Sequence, residues 1–303
     1  MAIVVGALVA LAAPRVVLAV RPLLEPAFAV TMMLIGSLVR AEELTAFRSA
    51  PSRPVVGLVA QYTVMPLLAA AISSAFEDPV VRTGIVLVGC MPGAMASNVM
   101  TVLLGGDLVL SVTLTTLATL LCPIVLALWL PLLADMRLAV DAGPLVWNAT
   151  WMVVLPVSAG IALRRFVRRL PRAWDRVATT VASASIVLIV LVVVAANRER
   201  LLGIGPALAV AMLALNLGGY ALAYGVATLL RWSSRLRRTL IIEVGMQNAG
   251  LGSVLALRHL GAEGAVPSAL YTVLCVITAS LALPIAGRLA RQPSTSGSVR
   301  RGR

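Results

Sequence analysis

The chain has 303 residues, of which 60% are apolar and 12% charged, with a formal net charge of +13 and a mean hydropathy of +0.99. A soluble domain carries about 25% charged residues, so these figures exclude an ordinary soluble enzyme and assign the chain to a bilayer. All 25 basic residues are Arg, and they fall in short loops between apolar runs rather than on one continuous face, which argues against a nucleic-acid partner.

Apolar runs recur along the whole length, at about 2–19, 24–39, 54–75, 80–103, 108–134, 144–163, 177–196, 203–230, 239–258 and 266–287. They predict an all-α membrane protein with about ten transmembrane helices. The first run is short and Pro14-Arg15 interrupts it. A start chosen too late and a true short helix both fit. Residues 1–13 lack a basic segment in front of them, so a cleavable signal is not expected. Arg placement predicts orientation. One set of loops holds Arg40, Arg48 and Arg53, then the cluster from Arg164 to Arg176, then Arg231 to Arg238, then the tail from Arg288. The alternate set holds Glu77, Asp78, Arg82, Asp135, Arg137, Asp141, Arg198, Glu199, Arg200, Arg258 and Glu263. The bias puts both termini in the cytoplasm of a cell with the chain in its plasma (inner) membrane. The stretch 292–303 is rich in Ser, Gly and Arg and reads as a disordered basic tail.

Two runs break the helical pattern at matching places in the two halves. One carries Met91-Pro92-Gly93-Ala94-Met95-Ala96-Ser97-Asn98, the other Val244-Gly245-Met246-Gln247-Asn248-Ala249-Gly250. Gly, Pro and amides in mid-span mark unwound backbone, tolerated only where it lines a cavity or meets protein. A pair of such breaks in corresponding positions points to a transporter site between inverted repeats.

Glu243 is a lone carboxylate beside the second break. At the bilayer centre such a group costs about 2.5–3.5 kcal/mol on insertion scales, so it needs a partner. With little Arg nearby in the sequence, a bound cation is the economical one. Na⁺ takes hard oxygen ligands. The sequence offers Ser97 and Asn98 at the first break, and Ser111 and Thr115 at an i,i+4 spacing. Glu243 and Gln247 share that spacing. Gln61 lies inside the third run, and the Val244 and Met246 carbonyls are free if the backbone unwinds there. Each Ser or Thr alone also fits a bond to its own helix or a contact between helices, and Glu243 alone fits a protonated structural acid. Thr113, Thr116 and Thr119 read as packing, Asn148 and Asn216 as interhelical bonds, and Asp107 as a loop residue or helix cap. Cys90, Cys122 and Cys275 have no metal-ligand spacing and read as small buried side chains. The single His259 sits at a span end.

Gly93-Ala94-Met95-Ala96-Ser97-Asn98-Val99-Met100-Thr101, followed by Gly106-Asp107-Leu108-Val109-Leu110-Ser111, resembles the signature of the bile acid:sodium symporter family. So does Ile242-Glu243-Val244-Gly245-Met246-Gln247-Asn248-Ala249-Gly250-Leu251. The resemblance runs from the second span to the tenth. It implies two inverted five-helix repeats, with broken helices 4 and 9 crossing at mid-membrane. A core (about 54–134 and 203–287) would move against a panel (about 1–50 and 144–196). It further implies two Na⁺ sites. One would be held by Ser97, Asn98, Ser111, Thr115 and Glu243, the other by Gln61, Glu243, Gln247 and the Val244 and Met246 carbonyls. Apart from the resemblance, Asn98 and Asn248 are expected to link the ion and substrate sites, and Val276 of the tenth span to contact substrate. The tenth span departs from the family pattern: Leu274-Cys275-Val276-Ile277-Thr278-Ala279-Ser280 replaces a more polar stretch.

Together these readings predict a sodium-coupled symporter of an organic anion, bile-acid-like or a small carboxylate, working by alternating access. Two Na⁺ with one shared carboxylate leave a net positive site, and helix N-termini at the breaks add to it. The alternatives are the same fold without sodium coupling, either proton-coupled or an arsenite-type efflux protein, and, more remotely, an intramembrane enzyme. The last lacks a His-metal set, a paired-Asp motif or a Ser with a base. Sodium ions, the anion and membrane lipid are the expected partners, with no obligate protein partner.

Overall fold

In hydrocarbon a backbone amide has no water to turn to, so each segment must close its own hydrogen bonds or find them on a neighbour. The computed structural model describes residues 14–39, 51–94, 96–133, 142–167, 171, 173–196 and 206–290, and they are all-helical apart from one isolated bridge. In chain order the helices are α1 (Pro14–Ala19), a 3₁₀ turn (Arg21–Leu23), α2 (Leu24–Gly36), α3 (Ser52–Ser73), α4 (Pro79–Gly89), α5 (Ala96–Leu103), α6 (Leu108–Leu133), α7 (Ala142–Ala149), a π segment (Thr150–Val154), α8 (Leu155–Phe166), α9 (Trp174–Ala196), α10 (Pro206–Leu229), α11 (Ser234–Gly245), α12 (Ala249–His259) and α13 (Gly261–Ala290).

Among the described residues, five segments are long and apolar enough to cross a bilayer: Ser52–Ser73, Leu108–Leu133, Gly143–Phe166, Pro206–Leu229 and Gly261–Ala282. The last begins at Gly261, five residues before the start the hydropathy predicts, because Gly261 turns the chain at φ +75° directly after α12. The expected first span is described only from Pro14. Residues 1–13, the loop positions Arg40, Arg48, Asp135, Arg137, Asp141 and Arg198–Arg200, and the tail 292–303 lie outside the described residues.

The caps follow from short polar side chains. Asp78 accepts from the amides of Val80 (2.7 Å) and Val81 (3.4 Å), with Pro79 at the first helical position of α4. Asp107 accepts from Leu110 N–H at 3.0 Å and so starts α6, the cap role expected of it. The π segment ends two residues before Pro156, whose ring nitrogen has no N–H for the preceding turn.

Apolar side chains sort into two main clusters. One joins α2 (Leu24, Phe28, Met32) to α6 (Leu114, Ala118, Leu126) and α12 (Leu251, Leu255). The other joins α3 (Met65, Ala69), α4 (Ile85, Val88), α10 (Met212, Leu215) and α13 (Tyr271, Cys275). All three cysteines are free and buried, as expected. Helices α2 and α8 touch backbone to backbone. A Cβ on Gly36 would collide with the Val157 backbone, and one on Gly160 with the carbonyl of Met33. Small residues permit this approach where lipid supplies no hydrophobic drive between helices.

Gly160→Val therefore forces α2 from α8 and lowers Tm in detergent, by an overpacking penalty of about 1–3 kcal/mol. Gly225→Ala, where a Cβ meets nothing within 4 Å, leaves Tm unchanged or slightly raised. Thermal unfolding of the two variants beside the parent checks both.

Candidate functional site

The two breaks lie against each other. Helix α4 ends at Gly89 and α5 starts at Ala96, while α11 ends at Gly245 and α12 starts at Ala249. The second gap is narrower than the sequence suggests: Val244 stays in the last turn of α11, and only 246–248 leave the helix. Gly93 and Gln247 form an antiparallel bridge. Ala94 N–H donates to Met246 O and Asn248 N–H to Pro92 O, both at 2.7 Å. Backbone groups released by unwinding are thus paired across the breaks. Gly93 is small because the carboxylate passes beside it: a Cβ there would sit 2.8 Å from Glu243 Oε2 and 3.7 Å from Gln61 Nε2.

Glu243 is fully buried at 0% exposure. Its Oε1 accepts from Ser97 Oγ at 2.6 Å and from Ser111 Oγ, and its Oε2 accepts from Thr115 Oγ1 at 2.8 Å. No basic side chain pairs with it among the described residues. Ser111 Oγ also lies 2.8 Å from Asn98 Oδ1 and 3.2 Å from Thr101 Oγ1. Thr115 Oγ1 lies 3.4 Å from Asn98 Oδ1 and 3.0 Å from the Ser111 carbonyl. A hydroxyl has one proton to donate. Ser111 and Thr115 each face three acceptors, so oxygen lone pairs outnumber the protons that could fill them.

The second group surrounds the other side of Gly93. Gln247 Nε2 donates to Val244 O at 2.8 Å. Gln247 Oε1 and both amide atoms of Gln61 are buried without a hydrogen-bond partner, although buried amides are nearly always satisfied. Met246 O carries the Ala94 bond and keeps a second lone pair. Ser97, Asn98, Ser111, Thr115 and Glu243 are therefore brought into one network, and Gln61, Val244, Met246 and Gln247 lie around the bridge beside it. Groups of three or more His, Cys, Asp or Glu able to hold a metal do not occur among the described residues. The first cluster instead gathers hydroxyl and amide oxygens around the one carboxylate, and the second offers amide and carbonyl oxygens beside it, donor sets suited to a hard monovalent cation.

Asn98 and Asn248 part company. Asn98 is 8% exposed and points its oxygen into the Glu243 network. Asn248 caps α12, accepting from Leu251 N–H at 3.1 Å, and lines a cavity of about 50 Å³ with Val276 and Cys275. The N-terminal residues of α5 (Ala96) and α12 (Ala249, Gly250) line the same cavity, and Phe28, Met32 and Ile35 of α2 form an opposite wall.

Several contributors escape the sequence reading. Thr101 joins the Glu243 network, and its place three residues after Asn98 on α5 is the signal that could have found it. Thr278 of the departing tenth span does not line the cavity. It donates to Asn216 Oδ1 at 2.6 Å, while Asn216 Nδ2 (2.7 Å) and Tyr271 OH (2.8 Å) both donate to Gly245 O. These side chains of α10 and α13 hold the last carbonyl of α11, a group every helix end leaves open. Asn148 makes the interhelical bond expected of it, 2.8 Å to His259.

Asn216→Leu strips one donor from Gly245 O and removes the acceptor of Thr278's shortest bond, so it destabilises by about 1–3 kcal/mol. Tyr271→Phe leaves the Asn216 bond in place and destabilises less. Detergent Tm and denaturant midpoints rank the two.

Comparison with known proteins gives a consistent picture. Residues 25–205 match the profile of the Sodium Bile acid symporter family. An uncharacterized sodium-dependent transporter of Bacillus subtilis (strain 168), YocS, is 37% identical over 245 residues, covering 80% of this chain and 76% of its own. A probable chloroplast sodium/metabolite cotransporter of Arabidopsis thaliana is 32% identical over 246 residues, 80% of this chain and 61% of its own. The sodium/bile acid cotransporter 4 of Rattus norvegicus is 30% identical over 237 residues, 74% of this chain and 53% of its own.

Proposed function

The chain belongs to the sodium bile acid symporter family, and from that premise we propose that it is a sodium-coupled carrier of a small organic anion. The observation that carries this reading is the fully buried Glu243, approached by Ser97, Ser111 and Thr115 hydroxyls and by no cationic side chain among the described residues. One Na⁺ is held by Ser97, Asn98, Ser111, Thr115 and Glu243. A second is held by Gln61, Glu243, Gln247 and the carbonyls of Val244 and Met246. The unpartnered Gln61 and Gln247 atoms support this second set. The fold in this reading has ten helices in two inverted repeats. A core of about 54–134 and 203–287 moves against a panel of about 1–50 and 144–196, with both termini in the cytoplasm.

Coupling follows from position. The cation clusters and the cavity share the breaks, so ions that order 91–98 and 244–250 also set the α5 and α12 N-termini that face the cavity. Those ends carry positive potential and favour an anionic group. The anion binds well only to the arrangement the ions assemble, which is a differential affinity between two states. Cys275, Val276 and Phe28 make much of the cavity wall apolar. A carboxylate head on a short body, a 2-oxo or 2-hydroxy acid, suits that wall and the volume better than a sterol.

Na⁺ raises the Tm of the purified protein, by up to about 2.7 kcal/mol of apparent stability at a hundredfold excess over Kd. Glu243→Gln keeps the fold and loses the shift. A mutant that keeps it sinks the shared-ligand assignment. Proteoliposome uptake of labelled 2-oxo and 2-hydroxy acids, with and without a Na⁺ gradient and with cholate as competitor, tests the cargo. Saturable cholate transport without small-acid uptake would reverse it. A single cysteine at Ser234, in a background lacking Cys90, Cys122 and Cys275, is expected to resist an impermeant reagent added outside intact cells. Labelling from outside would invert the orientation.

A further inference from the structure

A second cavity lies on the same seam as the first. Along α2 and its leading turn, Arg21, Leu24 and Glu25 line a cavity of about 410 Å³, and Val254, Leu257 and Arg258 of α12 face them. Farther along the same pair of helices, Phe28, Met32 and Ile35 face Ala249 and Gly250 across the inner 50 Å³ cavity. The two spaces follow successive turns of α2 and α12, and the apolar residues between them, Phe28, Leu251 and Val254, are 0–3% exposed. The outer space is charged. Arg258 Nη1 pairs with Glu25 Oε2, tying α12 to α2. The Arg21 guanidinium is exposed and has no acidic partner among the described residues. The lining therefore carries one positive charge more than the single carboxylate neutralises. The neighbouring His259 is tied to Asn148 of α7, so the end of α12 is fastened to two helices at once.

We propose that this cleft is the docking mouth for the carboxylate of the cargo: Arg21 captures the anion, and the anion displaces Glu25 from Arg258, unfastening α12 from α2 above the inner cavity. Guanidinium binds carboxylate in a planar fork, so an incoming carboxylate replaces the Glu25 bond to Arg258 in kind, and the freed Glu25, 32% exposed, turns to water. Naming the anion as cargo rests on the transport reading. The existence of an anion site does not.

The test reads the mouth directly. Leu257→Cys is made in the full chain lacking Cys90, Cys122 and Cys275, and Val254→Cys serves as a second reporter if the first misfolds. In a neutral detergent, a sulfonate-bearing thiosulfonate is expected to label the reporter about fivefold faster, relative to its trimethylammonium counterpart, than it labels an exposed reference cysteine. Arg21→Gln and Arg258→Gln collapse that ratio toward the reference, while Glu25→Gln raises it. Lactate, the probe for a small carboxylate, slows the labelling, and chloride at equal ionic strength does not. Arg21→Gln abolishes the protection. A ratio equal to the reference, or protection that survives Arg21→Gln, overturns the proposal. Slowing by phosphatidylglycerol but not by lactate would make this a lipid headgroup site and equally overturn it. Labelling needs neither Na⁺ nor transport. An absent Na⁺-dependent Tm shift would defeat the sodium reading alone, and an uncharged mouth beside an intact shift would defeat this proposal alone.

Discussion

Where two helices stop inside an apolar protein, their free amides and carbonyls have to be answered by something other than water. Here each break answers the other. Ala94 N–H reaches Met246 O, Asn248 N–H reaches Pro92 O, and Gly93 opposes Gln247. The remaining carbonyl, Gly245 O, takes Asn216 and Tyr271. This short backbone pairing fixes where α5 and α12 begin and where Glu243 can point. It also requires Gly93, since any Cβ there would crowd the carboxylate. Ser97, Asn98, Glu243 and Gln247 hang from this pairing, while α6 brings Ser111 and Thr115 to it and α3 brings Gln61.

Burying Glu243 creates a demand that hydroxyls alone meet poorly. Ser97, Ser111 and Thr115 are neutral donors, and Ser111 and Thr115 are wanted by several acceptors at once. Polar groups in excess of their donors are expensive in a low-dielectric interior. In the proposed reading, a bound cation turns the same lone pairs from unfilled acceptors into ligands, and the site relaxes when the ion leaves. An ion gradient would then bias a conformational equilibrium.

The seam between α2 and α12 is the other place where the fold concentrates choices. Its ends differ in chemistry: an Arg/Glu rim at one, an apolar-walled pocket under two helix N-termini at the other. Apolar packing between them resists opening only through contact and burial. The rim adds a directional ion pair that is exposed enough to be exchanged, with Arg258 at 42% and Glu25 at 32% exposure. A half-exposed pair of this kind contributes little to stability, which suits the exchange proposed for it.

Composition and Arg-bounded apolar runs determined that this is a helical membrane chain, because transfer of long apolar segments into lipid depends on sequence alone. Gly, Pro and amides at 91–98 and 244–250 likewise marked both breaks, and the lone Glu243 with its hydroxyl and amide neighbours marked the candidate ligands. Local chemistry also set Asp107 as a cap. The sequence could not say that Val244 stays helical, that Asn98 turns to the Glu243 cluster while Asn248 caps α12, or that Thr278 serves Asn216 instead of the cavity. Nor could it pair Arg258 with Glu25 across 233 residues. Those outcomes depend on which helices become neighbours. Side-chain direction is settled by tertiary packing, since one polar group can satisfy its bonds locally or at a distance, and only the assembled core decides which partner is near.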